Sequence, residues 1–200
     1  MTPQAKSLLN DLADYARIFP AEQAAAEVIV RFLEAEPFPF SRSAAAAHIT
    51  GSAFVLDRQG GALLLIHHRA LNRWLQPGGH VDDGEDAATA ALREAAEETG
   101  LSGLRLLPWR GGLLPIDIDS HAIPANPRKG EAAHVHHDIR YLIQADTTAL
   151  TPDQTETLGA RWAPVSELDS IFPARVRRKL DSALGASFLR RRGDPLKMEG

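Results

Sequence analysis

The chain has 200 residues, 44% of them hydrophobic, no cysteine, and a net charge of −4 from 26 acidic and 22 basic side chains. That is enough apolar material for one core, and the missing thiols exclude disulfides, thiolate metal sites and a cysteine nucleophile. The charge balance leaves no basic footprint for stable nucleic-acid binding, and apolar runs such as Ala62 to Ile66 are strand-sized, far short of a membrane span.

The opening residues, MTPQAKSLLNDLADYA, lack the basic-then-apolar layout of a secretory leader, so a cytoplasmic protein is the expectation. Leu8, Leu9, Leu12, Tyr15 and Phe19 recur at helical spacing, as do Val28, Ile29, Phe32 and Leu33 beyond Pro20. The X-Pro steps in Glu36-Pro-Phe-Pro-Phe-Ser force extended backbone and close this section, so 1–45 reads as a helical N-terminal extension. Two strand-like runs follow, His48 to Leu56 and Ala62 to His67, joined as a hairpin through 57–61. Leu104 to Trp109 and Leu113 to Ile118 carry strand character, and 119–133 reads as a polar loop with two prolines. Val135 to Ala145 and Ala160 to Val165 read as further strands, and Pro173 to Leu189 as a helix. Strands and helices mixed this way indicate an α/β or α+β layered domain over 46–190, with 191–200 as a C-terminal tail.

Between the hairpin and the later strands lies GGHVDDGEDAATAALREAAEETGL, Gly78 to Leu101. Glu85 or Asp86 can open a helix there, and Gly100 supplies the left-handed residue that ends one. On that helix Glu94, Glu97 and Glu98 share one edge. A solvated acidic face is the bland explanation. Like charges at those spacings, however, oppose helix formation by about 0.2–0.5 kcal/mol each, and such a face has no use for adjoining glycine turns. Hard oxygens clustered on a rigid element suit Mg²⁺ or Mn²⁺.

These residues resemble the signature box of the Nudix hydrolases. Gly79, Glu85, Arg93, Glu94, Glu97, Glu98, Gly100 and Leu101 fall on it without a spacing error, and Ala95 stands where a bulkier aliphatic residue is preferred. Seven fixed identities at roughly 7% each arise by chance about once in 10⁸ alignments. Trp74 to Gly79 and Arg161 to Leu168 resemble the segments that flank the box, which extends the likeness over 47–170. The resemblance implies an α/β/α sandwich with a mixed central sheet. It also implies a pyrophosphohydrolase that cleaves a nucleoside diphosphate linked to another group, by attack of water on phosphorus. It makes Glu94, Glu97, Glu98 and the backbone carbonyl of Gly79 ligands of Mg²⁺ or Mn²⁺. Arg93 becomes an ion-pair partner holding the glutamates, and Glu85 caps the helix or orients Arg93. An acid outside the box often completes such sites. Glu156, six residues before Trp162, is the first choice and Glu131 the second.

The resemblance leaves other features open. If His134 to Tyr141 is a strand, His134, His136, Asp138 and Arg140 share one face. That face suits a substrate cleft lined by His136 and Asp138, a site where alternating histidines converge on a transition metal, or a hydrogen-bonded sheet surface without a ligand. Arg128 and Lys129 could hold a substrate phosphate or form a solvated charge pair. His80 follows Gly79 and can face the site, while His67 and His68 lie at a strand end. Pro115, 14 residues beyond the box, resembles the proline that ADP-ribose hydrolases of this family often carry near that place. The resemblance puts ADP-ribose or a nucleotide sugar first as substrate, with (deoxy)nucleoside triphosphates as the alternative. A non-catalytic nucleotide-sensing module and a bare metal-binding domain are the rivals. The fold-sharing isopentenyl diphosphate isomerases are disfavoured by the absent cysteine. A homodimer is compatible with everything above.

Overall fold

The computed structural model describes residues 1–44, 46–125, 130 and 132–191, with 185–191 described by backbone alone. Two helices come first, α1 (Pro3–Ile18) and α2 (Gln23–Ala35), and Thr2 caps α1 by accepting the Ala5 amide. The strands β1 (Ala47–Leu56) and β2 (Ala62–His68) form the expected hairpin, followed by β3 (Arg73–Leu75) and β4 (Gly78–His80). The box helix α3 (Ala87–Thr99) precedes β5 (Arg105–Leu106), β6 (Asp117–Ile123), β7 (His134–Gln144), β8 (Thr157–Pro164) and α4 (Ala174–Arg191).

The eight strands make one mixed sheet in the order β3-β2-β1-β7-β5, with β4 paired to β1, β6 to β7 and β8 to β2. β1 and β7 run parallel from Ala47↔Val135 to Leu56↔Gln144, and the other pairings are antiparallel. Because strand side chains alternate, β1 and β7 each present an odd-numbered and an even-numbered face. The odd face, with Ile49, Val55, Ile139 and Ile143, packs against α3 and against Leu8, Leu12, Ile29 and Leu33 of α1 and α2. A Cβ at Gly51 would lie 2.2 Å from the Ala87 carbonyl oxygen, so α3 approaches the sheet backbone to backbone. The buried alanines 87, 91 and 95 permit that approach, which gives the small residue at Ala95 a physical reason. On the even face, Phe54, Leu56 and Leu142 pack against Phe172, Val176 and Leu180. Helices therefore cover both sides of the sheet.

Two expectations fail between 104 and 133. The strand placed at Leu104 to Trp109 shrinks to Arg105–Leu106, because Trp109 and Gly112 exchange backbone hydrogen bonds (2.7 and 3.1 Å) in a tight turn. Arg110 and Gly111 adopt positive φ there, which breaks the extended run. The strand placed at Leu113 to Ile118 starts instead at Asp117 and takes 117–123, most of it assigned to loop on polarity. Those polar residues pair with the polar end of β7: Asp117↔Arg140, Asp119↔Asp138 and His121↔His136.

The polar end of the even face also ties the N-terminal helices to α4. Lys179 Nζ donates to Tyr15 (2.6 Å), Glu22 (2.7 Å) and Asp117 (2.8 Å). Arg140 donates to Asp117 (2.9 Å), Asp119 (3.0 Å) and Asp138 (2.8 Å), and Arg175 also pairs with Asp117. Asp117 is fully buried, so these cations answer a charge that water does not reach. Among the described residues, no helix is long and apolar enough to cross a membrane.

Candidate active site

The site is built on α3 and the turn that lies across it. Asp86 caps the helix by accepting the Thr89 amide (2.8 Å), and Gly100 ends it in the left-handed conformation at φ 72°. Glu94 and Glu98 reach the turn at 78–80, and Glu97, one turn along from Arg93, pairs with its guanidinium. The Gly78 amide donates to Glu98 Oε2 at 3.0 Å. A Cβ on Gly79 would fall 2.4–2.8 Å from the Glu94 carboxyl group, so only glycine leaves that group its position.

Arg93 holds the acids in place. Its guanidinium donates to Glu85 (3.1 Å), Glu94 (3.1 Å), Glu97 (3.0 Å) and the His80 carbonyl (2.8 Å). Burial works against its charge, but Glu85 and Glu94 outweigh that and raise its pKa. Arg93 is thus a positioning residue joining the box turn to the helix, and Glu85 orients it.

Glu98 is only 3% exposed. Burial, reinforced by Glu94, Glu156 and Asp153 and partly offset by the Gly78 hydrogen bond, pushes its carboxyl up to about 8. Burial also raises Glu94, with Glu97 and Glu156 adding to the effect and Arg93 opposing it. Glu156 precedes β8, and its charge is felt by both box glutamates although it lies over fifty residues away in sequence. The Asp153 amide donates to the Glu98 carbonyl (3.2 Å) and the Thr151 amide to the Thr99 carbonyl (2.7 Å), docking this loop on the end of α3. Asp153 is a residue the sequence reading missed. The signal for it is an acid three residues before Glu156.

The donors gathered here are carboxylate and carbonyl oxygens on a rigid helix and a glycine turn, and they fit a hard divalent cation such as Mg²⁺ or Mn²⁺. The NUDIX domain pattern matches residues 47–182. The chain belongs to the Nudix family.

A probable DHNTP pyrophosphohydrolase of Lactococcus lactis subsp. cremoris (strain MG1363) is 35% identical over 95 residues, 48% of this chain and 54% of that protein. The chain therefore spans about half the length of that relative. An RNA pyrophosphohydrolase of Brucella ovis is 41% identical over 125 residues, 60% of this chain and 70% of that protein. A crystal structure of a NUDIX-family hydrolase from Clostridium perfringens superposes with a TM-score of 0.51 at 22% identity, covering 68% of this chain and 97% of that one. That likeness concerns the fold.

In this Nudix domain the polar face of β7 divides in two. Toward its start, His134 and His136 meet His48 of β1, with His80 beside them. Burial and the neighbouring histidines lower His136 to about 3, so the imidazole is neutral at ordinary pH. Further along, Asp138 is buried and accepts hydrogen bonds from Thr50 (3.1 Å), Ser52 (2.7 Å) and Arg140 (2.8 Å). Its carboxylate ties β7 to β1 through Thr50 and Ser52, so it is engaged within the sheet, where the sequence suggested a lining of the substrate cleft. His137 points to the opposite face, against Phe32 and Ser120. His67 stacks on Trp74. Arg128, Lys129 and Glu131 lie outside the described residues.

Proposed function

We propose that this chain is a divalent-cation-dependent pyrophosphohydrolase acting on a nucleoside diphosphate linked to another group. The observation that carries the reading is Glu98: a buried carboxyl on the box helix, held by the Gly78 amide and surrounded by further acids. Crowded carboxylates of this kind are costly without a cation, and a cation is what diphosphate chemistry needs. Mg²⁺ or Mn²⁺, when bound, supplies charge to the phosphoryl oxygens and acidifies a coordinated water.

The protein's own groups divide the remaining work. Glu94, Glu97, Glu98 and the Gly79 carbonyl hold the cation, and Arg93 fixes the carboxylates before substrate arrives. Glu156 accepts the proton of the attacking water at its carboxylate, a role supported by its electrostatic reach to Glu94 and Glu98. ADP-ribose or a nucleotide sugar comes first among substrates on the strength of Pro115 alone. Neither relative named above is named for such a compound. The Brucella ovis relative, an RNA pyrophosphohydrolase by name, adds RNA to the candidates, beside nucleoside triphosphates.

The test is a panel of these compounds with Mg²⁺ or Mn²⁺, read as released phosphate and nucleoside monophosphate, using Glu98→Gln as control. Cation-dependent turnover that disappears in Glu98→Gln supports the reading. A folded wild-type protein that turns over no member of the panel would favour a sensing module on the same fold.

A further inference from the structure

Five histidines from four strands gather beside the box turn, His121 of β6 at the margin with its ring 5.7 Å from His136, and the proposed hydrolysis uses none of their imidazoles. Register explains how they meet. His48 lies directly across from His136 in the parallel β1–β7 pair, and His134 is two residues earlier on the same face. His80 joins them because β4 pairs with β1 at Thr50↔His80. The ring centroids of His48, His134 and His136 are 4.6–4.9 Å apart, and His80 is 5.0 Å from His48 and 5.2 Å from His136.

We infer that His48, His134 and His136 form a second metal site, selective for an imidazole-binding transition ion of the Zn²⁺ class and distinct from the oxygen-rich site on α3. One nitrogen from each ring lies within 4.8 Å of the other two. Two nitrogens at 2.0–2.1 Å from a tetrahedral ion are about 3.3 Å apart. The Nε2 atoms of His134 and His136 are already 3.0 Å apart, so a few tenths of an ångström of opening suffices for this pair.

Hydrogen bonding sets the tautomer this requires. His134 Nδ1 lies 2.8 Å from the Ala132 carbonyl oxygen. A carbonyl only accepts, so Nδ1 carries the hydrogen and the Nε2 lone pair faces the cluster. This is the outer-shell arrangement that orients metal-binding histidines. The hydrogen between the two Nε2 atoms then belongs to His136, and an ion entering there displaces it to His136 Nδ1. Neutral imidazoles favour Zn²⁺, Cu²⁺ or Ni²⁺ over Mg²⁺, whose ligands are oxygens. Three histidines leave a fourth position for His80 or a small ligand, the open arrangement of non-structural zinc sites.

The experiment uses the full chain without an affinity tag, carrying Glu97→Gln and Glu98→Gln so that the box site is removed from the reading. After chelator treatment it is titrated with Zn²⁺ against a chromophoric chelator and, separately, with Co²⁺ followed by visible absorption. One tightly bound equivalent is expected, with the intense bands of four-coordinate Co²⁺. Adding His134→Ala and His136→Ala should weaken Zn²⁺ binding at least 100-fold. No stoichiometric binding in the Gln variant, or affinity within threefold after the histidine changes, would overturn the site. Should the histidine variant not fold, X-ray absorption at the Zn edge of the Gln variant decides. A shell of about three imidazole nitrogens supports the inference, and a shell of oxygens alone refutes it. Binding is read without turnover, so the outcome is independent of the proposed hydrolase activity.

Discussion

Replacing Gly79 by alanine isolates the geometry of the proposed cation site from the stability of the fold. Gly79 is outside the left-handed region, so its backbone accepts a side chain. The new Cβ would sit 2.4 Å from Glu94 Oε1, where ordinary contact begins at 3.4 Å. About 1 Å must be recovered, and the Glu94 side chain, a flexible terminus beside rigid backbone, is what gives way. Moving a carboxylate off its preferred rotamer costs of order 0.5–1.5 kcal/mol, which leaves the fold intact. A displacement of about 1 Å in a catalytic group, by contrast, costs about 100-fold in rate, or roughly 2.7 kcal/mol of barrier. We expect the Gly79→Ala melting temperature to fall by a few degrees. Its kcat/KM, on the best substrate of the panel, should fall about 100-fold and Mn²⁺ binding, followed by calorimetry, should weaken. Turnover and Mn²⁺ affinity within threefold of wild type would show that the Gly79–Glu94 contact plays no part in the chemistry.

Glu97→Gln and Glu98→Gln should each abolish most turnover while leaving the circular dichroism spectrum unchanged; near wild-type rates in saturating Mg²⁺ would remove that residue from the site. The Glu98 carboxyl is raised to about 8, so the proton competes with cation below that pH, and Mn²⁺ affinity should climb from pH 6 to 8 and then level off. By the same shift, the folded metal-free protein keeps a proton that the unfolded chain loses near its ordinary carboxylate pKa. That contribution to stability is fully present below about pH 4.5 and lost as pH rises toward 8, so melting temperatures of the chelator-treated protein should decline over this range more steeply than those of Glu98→Gln. Glu156→Gln should slow turnover on the order of 10²–10⁴-fold, the scale of a general base, and more than Asp153→Asn or Glu131→Gln; the reverse order would relocate the role. Lys179→Met leaves Asp117 and Glu22 short of a buried cation and should cost about 3–5 kcal/mol in denaturant unfolding, a value below about 1 kcal/mol excluding the network as a stabiliser.

What could be read from the sequence was local. Apolar spacing revealed α1 and α2, Gly100 the end of α3, and the box its own carboxylate edge, because each signal is confined to neighbouring residues. β6 escaped because strand prediction expects apolar alternation, whereas Asp117, Asp119 and His121 face the polar residues of β7. His134 and His136 stood out in sequence, yet their meeting with His48 depends on a parallel pairing across more than eighty residues. The fate of Asp138 was hidden for the same reason: its partners Thr50 and Ser52 belong to β1 and carry no mark of their role. The Glu156 assignment came from the resemblance, and Asp153 followed only once its loop was seen docked on α3.

The cluster around Lys179 bears on the order in which the chain acquires its shape during synthesis. Lys179 meets Tyr15 across 164 residues and Glu22 across 157. At 5–20 residues per second, the partner of the first helix emerges roughly 10–30 s after the helix itself. In that interval Asp117 also leaves the ribosome without Arg175 or Lys179 to receive it. A nascent chain arrested before Arg175 would retain Arg140 alone of these three cations, and burying Asp117 and Glu22 in their final places would be unfavourable. The first two helices leave the exit tunnel early, but their polar anchor to the sheet closes among the last contacts of the domain.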